Sequence, residues 1–334
     1  MKKLWLILIV LLVAIAGAWL YLQQNPEMTL SLVRDMERSR AGLEQKEIIV
    51  DGEAWPYLEG GPADAETIVL LHGFGGEKDH WTRFAAELTD RYHVIAPDLP
   101  GFGESPRHSD WVYDMPAQMP RLDDFLVAKG LELQQFHMAG NSMGGNLAAY
   151  YAANYSHRIL SLALLDTSGV STVEPSFMDQ ARERGENPLL VESVEDFDRM
   201  LGILFVNPPP MPEALKAYFA EKSVANRDFN AMIYEQYGPN RRGWLEQYLP
   251  SIEDLPVLLL WGEEDQITHV SSIERITPLL NNESVVVMPG VGHVPMLERP
   301  EETAAHYLKF IERARYPTPE ELLPVATDPS EPAG

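Results

Sequence analysis

The pentapeptide Gly140-Asn141-Ser142-Met143-Gly144 constrains this chain more than any other stretch. The apolar run Gln135-Phe136-His137-Met138-Ala139 precedes it and the small-residue run from Asn146 to Ala153 follows, so Ser142 falls at a strand-to-helix turn. A strained turn of this kind lifts a serine oxygen clear of a sheet. Side chains two residues to either side would collide with the neighbouring strand and helix, and Gly140, Gly144 and Gly145 leave that space empty.

A serine in this setting becomes a nucleophile only with a base and an acid, which in this motif's context follow it in the order acid, then histidine. His293 lies in Met288-Pro289-Gly290-Val291-Gly292-His293-Val294-Pro295, a loop after the strand-like run Ser284 to Val287. Of the other histidines, His306 falls in a run of helical spacing and His72 in a separate glycine-rich motif. Asp265 follows Pro256-Val257-Leu258-Leu259-Leu260-Trp261-Gly262, an unbroken apolar run that reads as a strand buried on both faces. From there a carboxylate can fix the tautomer of His293 and stabilise the imidazolium. Glu263 and Glu264 compete as loop acids, and Asp166, after Leu162 to Leu165, competes from an earlier strand. The order Ser, Asp, His favours Asp265.

The fourth element is Leu70-Leu71-His72-Gly73-Phe74-Gly75-Gly76, after the strand-like run starting at Thr67. Attack on a carbonyl builds negative charge on its oxygen, and backbone amides must be aimed there in advance. The amides of Phe74 and Met143 are the expected pair.

With Asp98-Leu99-Pro100-Gly101-Phe102-Gly103-Glu104-Ser105 after the strand Tyr92 to Ala96, these elements resemble the α/β-hydrolase superfamily over residues 45 to 315. A closer resemblance, to the membrane-anchored monoacylglycerol lipase group, rests on Leu71-His72-Gly73-Phe74, Lys78-Asp79-His80-Trp81, the serine motif with Gly145, Trp261 to Gln266 and Gly292-His293. It implies an α/β-hydrolase fold, a mostly parallel central sheet flanked by helices with a helical lid insertion. It also implies a serine hydrolase that cleaves carboxylic esters without cofactor or metal. Haloalkane dehalogenases and epoxide hydrolases place an aspartate where Ser142 stands, which disfavours those chemistries. Cofactor-free haloperoxidases keep the serine.

The chain's 26 basic and 50 acidic residues give a net charge of -24, which argues against nucleic acid and against electrostatic capture by anionic lipid. Membrane association must therefore be apolar. After Met1-Lys2-Lys3, residues Leu4 to Leu22 carry no polar side chain other than aromatic ones, a length close to the ~30 Å hydrocarbon thickness. Residues 1–22 are expected to be a retained anchor with the body on the non-cytoplasmic side. The alternative is a signal peptide cleaved after Ala16 or Ala18, giving a secreted or periplasmic protein. Cysteine is absent from the sequence, so there is no disulfide framework.

Residues 23–46 read as a juxtamembrane connector, with Leu30, Val33, Met36 and Leu43 spaced for one helical face. The hydrolase body is expected at 47–315, and the proline-broken acidic stretch 316–334 reads as a disordered tail. Between Asp166 and Pro256 the chain is far longer than the ~2–6 residues of an ordinary connection. Helical runs at Val194 to Phe205 and Glu213 to Asn226 make this segment, about residues 170–250, a lid. Its apolar stretch Met200 to Val206 either packs on the body or meets acyl chains, with Leu201, Leu204 and Phe205 as substrate-binding candidates.

The sequence thus leads to a serine hydrolase acting on lipid-like esters such as a monoacylglycerol or lysophospholipid. A carbon-carbon bond hydrolase or small-ester esterase would use the same triad. A non-catalytic binding protein of the same fold is the alternative from another class.

Overall fold

Five of the sheet's eight strands are buried at nearly every position, so the sheet is covered on both faces. In a computed structural model that describes Trp5, Gly17 and residues 20–237 and 243–315, the strands are β1 (Leu43–Val50), β2 (Glu53–Gly60), β3 (Thr67–Leu71), β4 (His93–Pro97), β5 (Phe136–Asn141), β6 (Ile159–Leu165), β7 (Val257–Gly262) and β8 (Glu283–Met288). They form one sheet in the order β1-β2-β4-β3-β5-β6-β7-β8. β2 pairs antiparallel with β1 and β4, and all other pairs are parallel.

Among the described residues, the helices of seven residues or more are α1 (Pro26–Arg40), α2 (Met115–Ala128), α3 (Met143–Asn154), α4 (Phe177–Glu183), α5 (Val194–Leu204), α6 (Glu213–Ala225), α7 (Arg227–Tyr237) and α8 (Pro300–Arg315). Successive strand residues point to opposite faces, and here both sets are apolar. Val69, Leu71, Val257, Leu259 and Trp261 join the core under α2 and α3, with Phe125 and Leu147. Ile68, Leu70, Leu258 and Leu260 join the core under α8, with Phe84, Tyr307 and Phe310. The expected doubly covered parallel sheet is therefore present, and the parallel strands all deliver their C-terminal ends to one rim. That rim collects the segments after β3, β5, β6, β7 and β8.

At the other edge, β1 begins at Leu43 and turns at Asp51-Gly52, both with positive φ, into β2. The Asp-Gly pair is the expected chemistry for so tight a hairpin. The body thus starts four residues before the expected boundary at residue 47, and the connector 23–46 is a docked helix plus the start of a strand. Leu30 and Val33 are half-buried in α1 as the spacing implies, but Met36 is exposed. The docking face is polar. Arg38 gives Nε to Asp79 Oδ1 and Nη2 to Asp79 Oδ2, both at 2.7 Å, and Arg34 pairs with Glu77. Arginines at i and i+4 thus replaced the apolar stripe that hydrophobic spacing seeks.

The expected anchor Leu4–Leu22 lies almost entirely outside the described residues, as does the tail 316–334. Among the described residues no helix is long and apolar enough to cross a membrane. The long insertion between β6 and β7 holds α4 to α7, and α5 and α6 stand close to the spans expected from sequence.

Beneath Glu77 and Asp79, the fully buried Lys78 ammonium contacts Asp98 Oδ2 at 2.8 Å and Glu104 Oε2 at 3.0 Å. Asp98, also fully buried, accepts the amides of Lys78 and Glu104 as well. Removing one member of such a pair strands the other charge and costs about 3–5 kcal/mol. Lys78→Met should therefore lower the melting temperature by on the order of 10 °C. A melting curve within about 2 °C of wild type would show that this pair does not hold the turn after β3.

Candidate active site

Ser142 ends β5 and opens α3 with φ 54 and ψ -117, a left-handed conformation that costs a non-glycine residue on the order of 1–3 kcal/mol. The surroundings enforce it. A methyl group at Gly144 would lie 2.2 Å from Leu71 O and 2.5 Å from His72 O, and one at Gly140 would lie 2.3 Å from the Gly144 backbone. β5, α3 and the end of β3 meet with no room for a Cβ, which is the space the glycines were expected to leave. Hydrogen bonds then fix the turn: Ser142 N donates to Leu165 O, and Ser142 O accepts the amides of Asn146 and Ser168.

The loops after the next strands bring the acid and the histidine together. His293 Nδ1 lies 2.8 Å from Asp265 Oδ2. That carboxylate is well supplied, since Oδ1 accepts the amides of Ile267 (2.7 Å) and Thr268 (3.1 Å) and Oδ2 accepts Thr268 Oγ1 (2.7 Å). The His293 loop is tied on both sides: His293 N donates to Leu204 O at the end of α5, and His293 O accepts Asn141 Nδ2 at 3.0 Å. Asn141, the second residue of the serine motif, thereby links the nucleophile turn to the histidine loop. Sequence reasoning gave it no role, because its partner is 152 residues away.

Glu263 and Glu264 are exposed, as loop acids would be. Asp166 is fully buried at the end of β6 and does not bond His293 Nδ1, which Asp265 occupies. It nevertheless lies close: ligand-type atoms of Asp166, Asp265 and His293 all fall within 4.8 Å of one another. The sequence showed no metal-ligand cluster, and these three residues come together only in the fold. His293 and Asp265 bond each other, Asp265 also accepts the amides of Ile267 and Thr268, and Asp166 Oδ1 accepts the Gly262 amide.

On the other side of Ser142, a methyl at Gly73 would lie 3.1 Å from Ser142 Cβ, so the loop carrying Phe74 runs directly against the serine. Met143 opens α3, and its amide has no partner within the helix. The loop of Phe74 and the first turn of α3 thus both lie beside Ser142. The Phe74 ring packs edge-on against Phe102 and against Tyr234 of α7, each at 5.6 Å. His72 holds the base of this loop: its Nε2 accepts Leu99 N at 2.9 Å, leaving Nδ1–H to donate to Gly73 O at 2.9 Å.

The insertion closes over these groups. Ser142 is 9% exposed and His293 3%. Tyr237 at the end of α7 bonds Ser168 and accepts Asn146 Nδ2 at 3.0 Å. In the apolar stretch, Phe205 is buried, Leu201 and Leu204 pack against the α8-side core, and Val206 is the exposed member.

A strained serine at a strand-to-helix turn, with a histidine-carboxylate pair carried to the same rim, defines a serine hydrolase built on an α/β sheet. The chain belongs to the alpha/beta hydrolase fold family, whose model matches residues 66–300. It is 39% identical to Lipase 1 of Psychrobacter immobilis over 280 residues, which is 82% of this chain and 86% of that one. It is 26% identical to a monoacylglycerol lipase of Homo sapiens over 262 residues, 76% of this chain and 77% of that one. The crystal structure of a bacterial membrane phospholipase A superposes with a TM-score of 0.84 at 48% identity, covering 95% of this chain and 100% of that one. The 2-hydroxy-6-oxo-6-phenylhexa-2,4-dienoate hydrolase of Rhodococcus sp. strain RHA1, 20% identical with a TM-score of 0.68 over 81% of this chain and 99% of that one, shares the fold. The protein is a carboxylic ester hydrolase close to the monoacylglycerol lipase group.

Burial pushes the His72 imidazole down to about 4. The native state therefore refuses a proton that the unfolded chain takes up near pH 6.5, so stability falls as pH drops from about 6.5 to about 4. This contribution amounts to about 3 kcal/mol. Denaturant titrations should show it in wild type and show it missing in His72→Gln; equal pH slopes for the two proteins would refute it.

Proposed function

We propose that the protein hydrolyses lipid-like carboxylic esters, a monoacylglycerol or lysophospholipid above all, through Ser142, His293 and Asp265. The observation that carries this reading is the 2.8 Å contact between His293 Nδ1 and Asp265 Oδ2 on the rim where Ser142 is held at positive φ. Ser142 Oγ attacks the acyl carbonyl while His293 Nε2 takes its proton. Asp265 keeps the Nδ1–H tautomer and stabilises the imidazolium. The oxygen of the tetrahedral adduct accepts from the Phe74 and Met143 amides. His293 then protonates the departing alcohol, and water, deprotonated by the same imidazole, releases the acid from Ser142. No cofactor or metal has a step.

The substrate class is supported by relatives that are lipases, monoacylglycerol lipases and a membrane phospholipase A. The apolar segment Leu4–Leu22 supports it too, as a retained anchor that holds the body at a bilayer on the non-cytoplasmic side. The insertion α4 to α7 acts as a lid. With Ser142 nearly sealed, a long acyl chain enters when α7 withdraws Tyr234 and Tyr237, and Leu201, Leu204 and Phe205 then border the space it enters.

Ser142→Ala and His293→Ala should each abolish ester hydrolysis without a change in melting temperature, and the double variant should be little worse than either, since the residues act as one unit. Asp265→Asn should lower kcat by on the order of 10⁴-fold. Retention of activity by any one of the three single variants would overturn the triad.

Anchoring raises the enzyme's concentration at the interface without touching the triad. A chain beginning at Gln23 keeps α1 and should match the full chain on short soluble esters while losing activity on long-chain esters held in vesicles. A chain beginning at Ala41 strips Asp79 of its guanidinium partner and should be less stable in addition. Equal vesicle activity with and without residues 1–22 would remove the anchor from the account.

A further inference from the structure

The proposed triad leaves one buried acid at the site without a role. Asp166 follows β6 with φ 45, and its amide donates to Leu260 O of β7, which fixes the side chain beneath the end of that strand. Its Oδ1 accepts Gly262 N at 2.8 Å, and its Oδ2, sealed from solvent, meets no donor among the described residues. Asp265 beside it has four donors. Two carboxylates in a dry site cannot both carry charge at tolerable cost, and one proton between them relieves it. Both oxygens of Asp265 already accept donors while Asp166 Oδ2 has none, so the shared proton belongs on Asp166 Oδ2.

We propose that Asp166 is a neutral carboxylic acid whose Oδ2–H is directed at Asp265, a positioning residue that holds the triad carboxylate ionised and aligned with His293. The proposal rests on the triad reading and adds a fourth member behind it. The groups facing Asp166 are the Gly262 amide of β7, Asp265 and Thr268 of the following loop, His293 after β8, and the more distant Glu298. Burial and the negative charges of Asp265 and Glu298 hold the Asp166 carboxyl well above the usual carboxylate range. Sharing the site with a neutral acid rather than a second anion, Asp265 keeps its charge for the imidazolium.

An amide reproduces this geometry, with its oxygen on Gly262 N and its N–H on Asp265. Asp166→Asn should therefore keep kcat within about threefold of wild type, against the on-the-order-of 10⁴-fold loss at Asp265→Asn. In wild type, kcat should fall on the alkaline side as Asp166 ionises, and Asp166→Asn should lack that limb. Asp166→Leu, which cannot donate, should lower kcat with KM unchanged. Infrared difference spectra at neutral pH should show a protonated-carboxyl band in wild type and in Ser142→Ala that is missing in Asp166→Asn.

A kcat loss at Asp166→Asn as deep as at Asp265→Asn would make Asp166 an ionised acid and overturn the proposal. So would the absence of the band from active wild-type enzyme. Wild-type activity in Ser142→Ala with the band intact would instead overturn the triad, and the positioning role with it.

Discussion

Everything at this site depends on how closely three pieces of backbone approach behind Ser142. The end of β3, the start of α3 and the end of β5 are packed so that a single methyl at Gly144 would drive into the carbonyls of Leu71 and His72. That contact forces the turn which raises the serine at positive φ, and it sets the Gly73-Phe74 loop against the nucleophile. The loop of Phe74 and the turn of Ser142 are thus placed by one packing constraint. Preorganisation of this kind is the form in which backbone amides stabilise developing charge.

Much of this was legible in the sequence. The runs Ile68–Leu71, Val257–Leu260 and Leu162–Leu165 are apolar at consecutive positions because the strands are covered on both faces, and short runs of that kind between turn residues read clearly. The glycines of the serine motif and the loop glycines before His293 announce close approaches directly. The helix α5 was readable from its spacing because it covers a core with one face.

What stayed hidden was carried by polar groups whose partners are remote in sequence. The hairpin β1-β2 presents Glu44, Gln45, Lys46 and Glu47 to solvent, so its strand character lay in the Asp51-Gly52 turn rather than in hydrophobicity. α1 docks through Arg34 and Arg38, for which no apolar periodicity exists. Asn141, His72 and Asp166 each bond a residue 27 to 152 positions away, and a linear pattern does not encode such pairs.

The arginine clasp on Asp79 decides where the body mechanically begins. With both carboxylate oxygens of Asp79 taken by Arg38 and with Arg34 on Glu77, α1 moves with the sheet, and the stiff unit extends about 22 Å beyond it along the chain. The helical hydrogen bonding is interrupted at Asn25, with φ -128 and ψ 71, just before Pro26. Side chains bridge that joint, with Asn25 Nδ2 donating to Tyr21 O and Thr29 Oγ1 to Leu22 O. The same clasp ties α1 to the turn at residues 77–79, just beyond the loop of Phe74.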